Sequence, residues 1–216
     1  MFDLLQKISK AICRRRQKQQ VVVISDSNAC PCSYYLSILN EISFVEVVHI
    51  VDTFSQDSLS KIRRLKNAPF IFFVHGDKKE VLCYFYDKSH KPSFIPSTWW
   101  KALPSTHHAY FHTCYGSNIV EQTNEISTKL ASWTSYSGRL NGVISYDSRI
   151  KKINKDFLSL VVSSVRDKKN VQAVHASLVS AYMSFESSLW DDGRPIDGFA
   201  GFVAGIGSNI KSLKHS

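Results

Sequence analysis

The sequence predicts an α/β fold with a mainly parallel central sheet flanked by helices on both faces. Three apolar runs predict buried strands: VVVIS at 21–25, FVEVVHIV at 44–51 and PFIFFV at 69–74. Segments with helical spacing separate these runs, which are apolar throughout and do not alternate with polar residues. Strands of this kind, alternating with helices, are typical of a parallel sheet that is covered on both faces.

Two helices are predicted between the three strands. The first spans 33–42 with Ser33 as its N-cap, because a serine hydroxyl accepts a hydrogen bond from the first helical turn. The second begins at Asp57, where apolar residues recur at helical spacing. After the third strand, EVLCYFYD at 80–87 predicts a short strand or hairpin arm, and the stretch 87–98, which holds two prolines, predicts a loop.

The second half of the chain continues the alternation of strands and helices. A brief helix is predicted around Trp99 and Trp100. The later elements are a core strand at 108–114, a helix at 117–132, a strand at 142–146 (GVISY), and two helices beginning at Lys155 and Val171.

The 216 residues are expected to form one domain, because no linker or repeat divides them. Residues 1–19 predict an amphipathic basic helix, and residues 191–216 form a glycine-rich tail that matches no regular element. No uninterrupted apolar run reaches the roughly 18 residues that predict a transmembrane helix. The odd count of five cysteines argues against a disulfide framework, so a reducing cytoplasm is the expected compartment.

The formal charge of +9 raises the question of an anionic partner. The charges are explained by a solvated basic surface with a basic amino-terminal segment, and no motif typical of nucleic-acid recognition is present. We therefore expect that the chain requires no nucleic acid.

Two predicted core strands end in a reactive side chain that is followed closely by glycine. FIFFVHG ends in His75 and Gly76, and FHTCYG contains Cys114 with Gly116 two residues later. Functional groups gather at the carboxyl ends of the strands in an open parallel sheet, so we expect His75 and Cys114 to meet. A cysteine nucleophile needs a base, and an imidazole can then protonate the leaving amine. The backbone N–H groups of Gly76 and Cys114 are the predicted oxyanion donors.

These motifs resemble those of the caspase-like cysteine peptidases, which include caspases, metacaspases, legumains, gingipains, separases and bacterial CHAT-domain proteases. The resemblance spans roughly residues 20–187, and the run from GVISYDS to QAVHASLVSAY looks most similar to the end of a CHAT domain. It implies a cysteine endopeptidase that cuts a protein substrate without metal or cofactor. It also implies control by a protein partner and a role in antiviral defence or cell death.

The resemblance also suggests residues for the substrate site. His112 stands two residues before Cys114, where caspases have glutamine and metacaspases aspartate, so His112 is expected to bind substrate. Several of these families use an acidic residue to bind a basic P1 side chain, and Asp26 and Asp147 are the candidates here. The stretch 88–96 and the tail are expected to contact substrate or to gate the site.

Three other interpretations stay open. A metal site would use His107, His108, His112 and Cys114, but ligands in line along one strand do not converge on a tetrahedron. An α/β-hydrolase with a cysteine nucleophile would need a later histidine, and His175 and His215 are the ones that remain. The fold could also be a catalytically silent scaffold that binds a protein partner. The cysteines at 30 and 32 lack a second ligand pair and are expected to lie in a loop.

Overall fold

The computed structural model describes residues 18–25, 30–51, 54–65, 68–76, 83–86, 92–102, 108–122, 130–140, 147–166, 171–191, 194–195, 208–209 and 211–215. The strands are β1 (Gln19–Ser25), β2 (Val45–Val51), β3 (Phe70–Phe73), β4 (His75–Gly76), β5 (Cys83–Tyr86), β6 (Pro92–Phe94), β7 (Ala109–His112), β8 (Trp133–Tyr136), β9 (Trp190–Asp191), β10 (Arg194–Pro195) and β11 (Leu213–His215). The helices are α1 (Cys30–Asn40), α2 (Gln56–Arg63), α3 (Ser97–Ala102), α4 (Gly116–Gln122), α5 (Ser148–Arg166) and α6 (Val171–Ser188).

A six-stranded sheet in the order β11-β8-β7-β3-β1-β2 forms the centre of the fold. Five of its strands pair in parallel, and β11 pairs antiparallel with β8 at one edge. The α/β fold class with a mainly parallel sheet is therefore confirmed. A small antiparallel sheet, β4-β5-β6, continues from the end of β3.

Helices cover both faces of this sheet. On one face, α1, α5 and α6 bury apolar side chains that include Ile38, Leu158 and Leu178. On the other face, α2, α3 and α4 contribute residues that include Ile62, Trp100 and Ile119. Successive strand residues point to opposite faces, so each fully apolar strand supplies both cores.

Helix starts differ from the predicted ones for local reasons. Helix α1 begins at Cys30, three residues before Ser33. Pro31 fits the first turn of this helix, because the N–H that proline lacks would have no helical partner at that position. The two cysteines therefore lie in a helix and not in a loop. The helix predicted from Asp57 begins at Gln56, and Ser55 caps it by accepting a 3.1 Å hydrogen bond from the Ser58 N–H.

Strand β8 was missed in the sequence. Its residues WTSY place Thr134 and Ser135 inside the sheet with no exposed surface, so the strand lacks a continuous apolar run. The Ser135 hydroxyl donates to the Phe111 carbonyl at 3.1 Å, which compensates its burial. Strand β6 also lies within the stretch predicted as loop. The strand predicted at 142–146 lies outside the described residues.

The two ends of the chain are described in part. Of the predicted helix at 1–19, residues 1–17 lie outside the described part, and Gln19 already belongs to β1. The tail contributes β11, which pairs with β8. A single domain over 1–216 stays a prediction. Within the described ranges, no helix has the length and apolar character needed to cross a membrane.

Candidate active site

The sheet register brings His75 and Cys114 to the same edge. Phe73 in β3 lies opposite His112 in β7, and the two candidate residues each follow two positions later. The register therefore places His75 level with Cys114 at the carboxyl ends of neighbouring parallel strands. Both are half-buried, which leaves each accessible from solvent.

Gly76 lies against the backbone of Cys114. A Cβ atom added at Gly76 would overlap the Cys114 carbonyl oxygen and would stand 2.7 Å from Thr113 Oγ1. Only glycine permits this approach, because the nearest atom belongs to the backbone and cannot rotate away. The His-Gly and Cys-x-Gly motifs are thus in direct contact in the fold.

The Cys114 sulfur has backbone partners in the segment after β8. The Leu140 N–H donates to Cys114 Sγ at 3.3 Å. The thiol lies 3.8 Å from the Leu140 carbonyl oxygen, to which it can donate. The backbone of Leu140 therefore holds both a donor and an acceptor against the sulfur.

The turn after the nucleophile is held in a left-handed conformation. Tyr115 has a φ of 53°, which is uncommon for a residue with a side chain. Its N–H donates to the Gly138 carbonyl at 2.9 Å, which ties the turn to the segment that contacts the sulfur. Strained backbone of this kind clusters at functional sites.

Gly116 permits close packing between α4 and β8. A Cβ there would overlap Ser135 Oγ and would stand 2.7 Å from Thr113 Cγ2. The left-handed residue is its neighbour Tyr115, so Gly116 is needed where α4 crosses β8 and not for the turn itself.

His112, two residues before Cys114, is buried in the core. The side chain is 9% exposed, and its Nδ1 lies 2.7 Å from Tyr110 Oη. The chain of hydroxyls continues from Tyr110 to Tyr136 at 2.9 Å and from Tyr136 to Tyr182 at 2.7 Å. Its ring also packs on Tyr35, with centroids 4.1 Å apart. His112 therefore supports the strand that carries Cys114, and the predicted contact with substrate would require access to the core.

Burial keeps this network neutral. Desolvation lowers the pKa of His112 to about 3. Desolvation also raises the pKa values of Tyr110, Tyr136 and Tyr182 well above the ordinary value. A neutral, hydrogen-bonded cluster thus holds the end of β7, two residues before Cys114, without a buried charge.

The burial of His112 predicts a pH dependence of stability. Between pH 6.5 and about 3 the unfolded chain binds a proton at His112 that the folded chain does not, so this group's contribution to stability falls as pH falls. Relative to His112→Phe, the parent should lose about 3 kcal/mol of unfolding free energy between pH 7 and pH 4. Urea unfolding at a series of pH values measures this difference, and a difference that does not change with pH would contradict it.

The acidic candidates for substrate binding are placed only in part. Asp147 is half-buried and directly precedes α5, where its carbonyl accepts the Lys151 N–H at 2.9 Å. This is the N-cap position of the helix. Asp26 lies outside the described residues. Binding of a basic P1 side chain by either residue stays a proposal.

The described residues provide no support for a metal site at His108 and His112 or for a hydrolase that uses His175 or His215. His108 Nδ1 lies 3.0 Å from Ser132 Oγ in the core, and the described part of the chain holds no cluster of three His, Cys, Asp or Glu side chains that could bind a metal. His175 lies on α6. His215 pairs with Thr134 in antiparallel β11, away from the edge that carries Cys114.

Comparison with known proteins supports the fold. Neither a protein-family model nor a curated protein matches the chain. A solved structure of a secreted C11 cysteine protease from Bacteroides thetaiotaomicron, in complex with an irreversible peptide inhibitor, is similar, with a TM-score of 0.50 and 11% identity. The match covers 81% of this chain and 60% of the protease, so the chain spans less than two thirds of it. The chain thus shares the fold of this C11 cysteine protease.

Proposed function

We propose that the chain is a cysteine endopeptidase in which Cys114 is the nucleophile and His75 the acid–base partner. The observation that carries the proposal is the backbone contact between Gly76 and Cys114, which joins the two motifs at one edge of the sheet. The fold shared with a C11 cysteine protease supports the same reaction class. The half-buried position of both side chains leaves room for a peptide to reach them.

The reaction follows from these positions. His75 takes the Cys114 proton, and the sulfur attacks the scissile carbonyl carbon. The Gly76 and Cys114 N–H groups stabilise the oxyanion, while the Tyr115 N–H already donates to Gly138. The C–N bond then breaks, and His75 returns its proton to the departing amine. Water hydrolyses the thioester with His75 as base, which releases the acid and restores the thiol.

The finer features of the proposal rest on resemblance. Asp26 follows β1 in the sequence and Asp147 precedes α5, and their charge supports a basic P1 side chain. A CHAT-like relationship, a cytoplasmic location, control by a protein partner and a role in defence or cell death are proposed on the same resemblance. The substrate is a protein, since a peptide bond is what this site is built to cut.

A peptide library tests the proposal. The parent chain and Cys114→Ala are incubated with a mixture of unstructured peptides, and new termini are identified by mass spectrometry. We expect cleavage by the parent alone, with lysine or arginine enriched at P1. Absence of cleavage by the parent would favour a silent scaffold, and enrichment of another P1 residue would remove the roles given to Asp26 and Asp147.

A further inference from the structure

The nucleophile contacts a short loop that begins directly after β8. This cysteine-facing loop, residues 137–140, accepts the Tyr115 N–H at the Gly138 carbonyl, 2.9 Å away. It also donates the Leu140 N–H to Cys114 Sγ at 3.3 Å. The loop therefore holds both the strained turn and the sulfur. Neither contact is visible in the sequence, since 26 residues separate Cys114 from Leu140.

The same loop is anchored to the carboxyl-terminal segment of the chain. The Ser212 carbonyl accepts the Ser137 N–H at 2.6 Å and the Ser137 hydroxyl at 3.1 Å. A Cβ atom added at Gly138 would stand 3.2 Å from Ser212 Cβ, so the two backbones are packed closely. Leu213, the next residue, is buried against the core and fixes this segment.

We infer that Ser212 and Gly138 are positioning residues that set the reactivity of Cys114 by holding the Leu140 N–H against its sulfur. The chain of contacts runs from the segment that begins β11, through the cysteine-facing loop, to the nucleophile. The Leu140 N–H is a fixed hydrogen-bond donor at the reacting atom, so displacing the loop should slow reactions of the sulfur. The inference rests on the proposed role of Cys114, but it concerns thiol reactivity and not hydrolysis.

A double-mutant cycle tests this coupling. Gly138→Val places a branched side chain against Ser212 and should push the loop from the sulfur. Ser212→Gly removes the Cβ atom that the valine meets but keeps the carbonyl. The readout is the rate of Cys114 alkylation by iodoacetamide between pH 5 and 9, followed by peptide mass mapping because the chain has five cysteines.

We expect Gly138→Val to slow alkylation of Cys114 about tenfold at pH 7, because the variant moves the Leu140 N–H away from the sulfur. The double variant should recover most of that rate, which a general loss of stability would not produce. An unchanged rate in Gly138→Val, or no recovery in the double variant, would overturn the inference.

Two controls keep the outcome decisive. If Gly138→Val does not fold by circular dichroism, Gly138→Ala with and without Ser212→Gly gives the same contrast at smaller amplitude. Hydrolysis is measured separately in the parent. A parent that does not cut peptides but shows the alkylation pattern would contradict the proposed function and leave the coupling intact.

Discussion

Replacing Cys114 with alanine is expected to abolish peptide hydrolysis. The sulfur is the nucleophile that attacks the peptide bond in the proposed reaction, and loss of such a group typically lowers kcat/KM by at least about 10⁴-fold. The side chain is half-buried and loses one heavy atom, so the unfolding free energy should change by no more than ~1 kcal/mol. Steady-state kinetics with a peptide from the library and thermal melting measure the two quantities.

A second cysteine supplies the matched control for this experiment. Cys13→Ala removes a thiol that lies outside both motifs, and it should cut peptides at the parent rate. A Cys114→Ala chain that keeps more than about one tenth of the parent rate would show that another group attacks the substrate, and the proposed reaction would be wrong.

Replacing Gly76 with alanine is expected to damage both stability and catalysis. The added methyl group would overlap the Cys114 carbonyl oxygen, so one of the two strand ends must move. Overpacking of this kind costs about 3 kcal/mol. In a chain of 216 residues this lowers the melting temperature by about 6–12 °C. Because the movement separates His75 from Cys114, kcat should fall even where the protein is fully folded.

A second substitution, at Thr113, shows whether the methyl group added at Gly76 clashes with the backbone of Cys114 or with the side chain of Thr113. Thr113→Ala removes Oγ1, which is the second atom that the new methyl group would meet. It leaves the carbonyl oxygen in place, so Gly76→Ala with Thr113→Ala should stay as unstable and as slow as Gly76→Ala alone. Full recovery in this double variant would show that the Gly76 backbone does not contact Cys114 as described.

The sheet was predictable because its signals are local. Strands β1, β3 and β7 are runs of apolar residues, and the candidate residues His75 and Cys114 follow two such strands that end at the same edge. Strand β8 was missed because Thr134 and Ser135 carry hydroxyls whose burial depends on partners elsewhere in the fold. Hydropathy cannot show such compensation.

The surroundings of the dyad depend on contacts that are distant in sequence. The Leu140 donor lies 26 residues after Cys114, and the Ser212 carbonyl lies 75 residues after Ser137. No spacing rule connects them. The burial of His112 was equally hard to predict from the sequence. Its position two residues before Cys114 suggested a contact with substrate, but hydrogen bonds from His112 to Tyr110 and from Tyr110 to Tyr136 hold its ring in the core.

The dependence of Cys114 reactivity on His75 tests the central claim most directly. Alkylation of Cys114 by iodoacetamide is followed from pH 5 to pH 9 in the parent, in His75→Ala and in His175→Ala, whose histidine lies on α6. An imidazole beside the sulfur increases the thiolate fraction near neutral pH. We expect the parent and His175→Ala to react at least about tenfold faster at pH 6.5 than His75→Ala. Equal rates and equal pH profiles for the parent and His75→Ala would contradict the claim that these two side chains form one catalytic site.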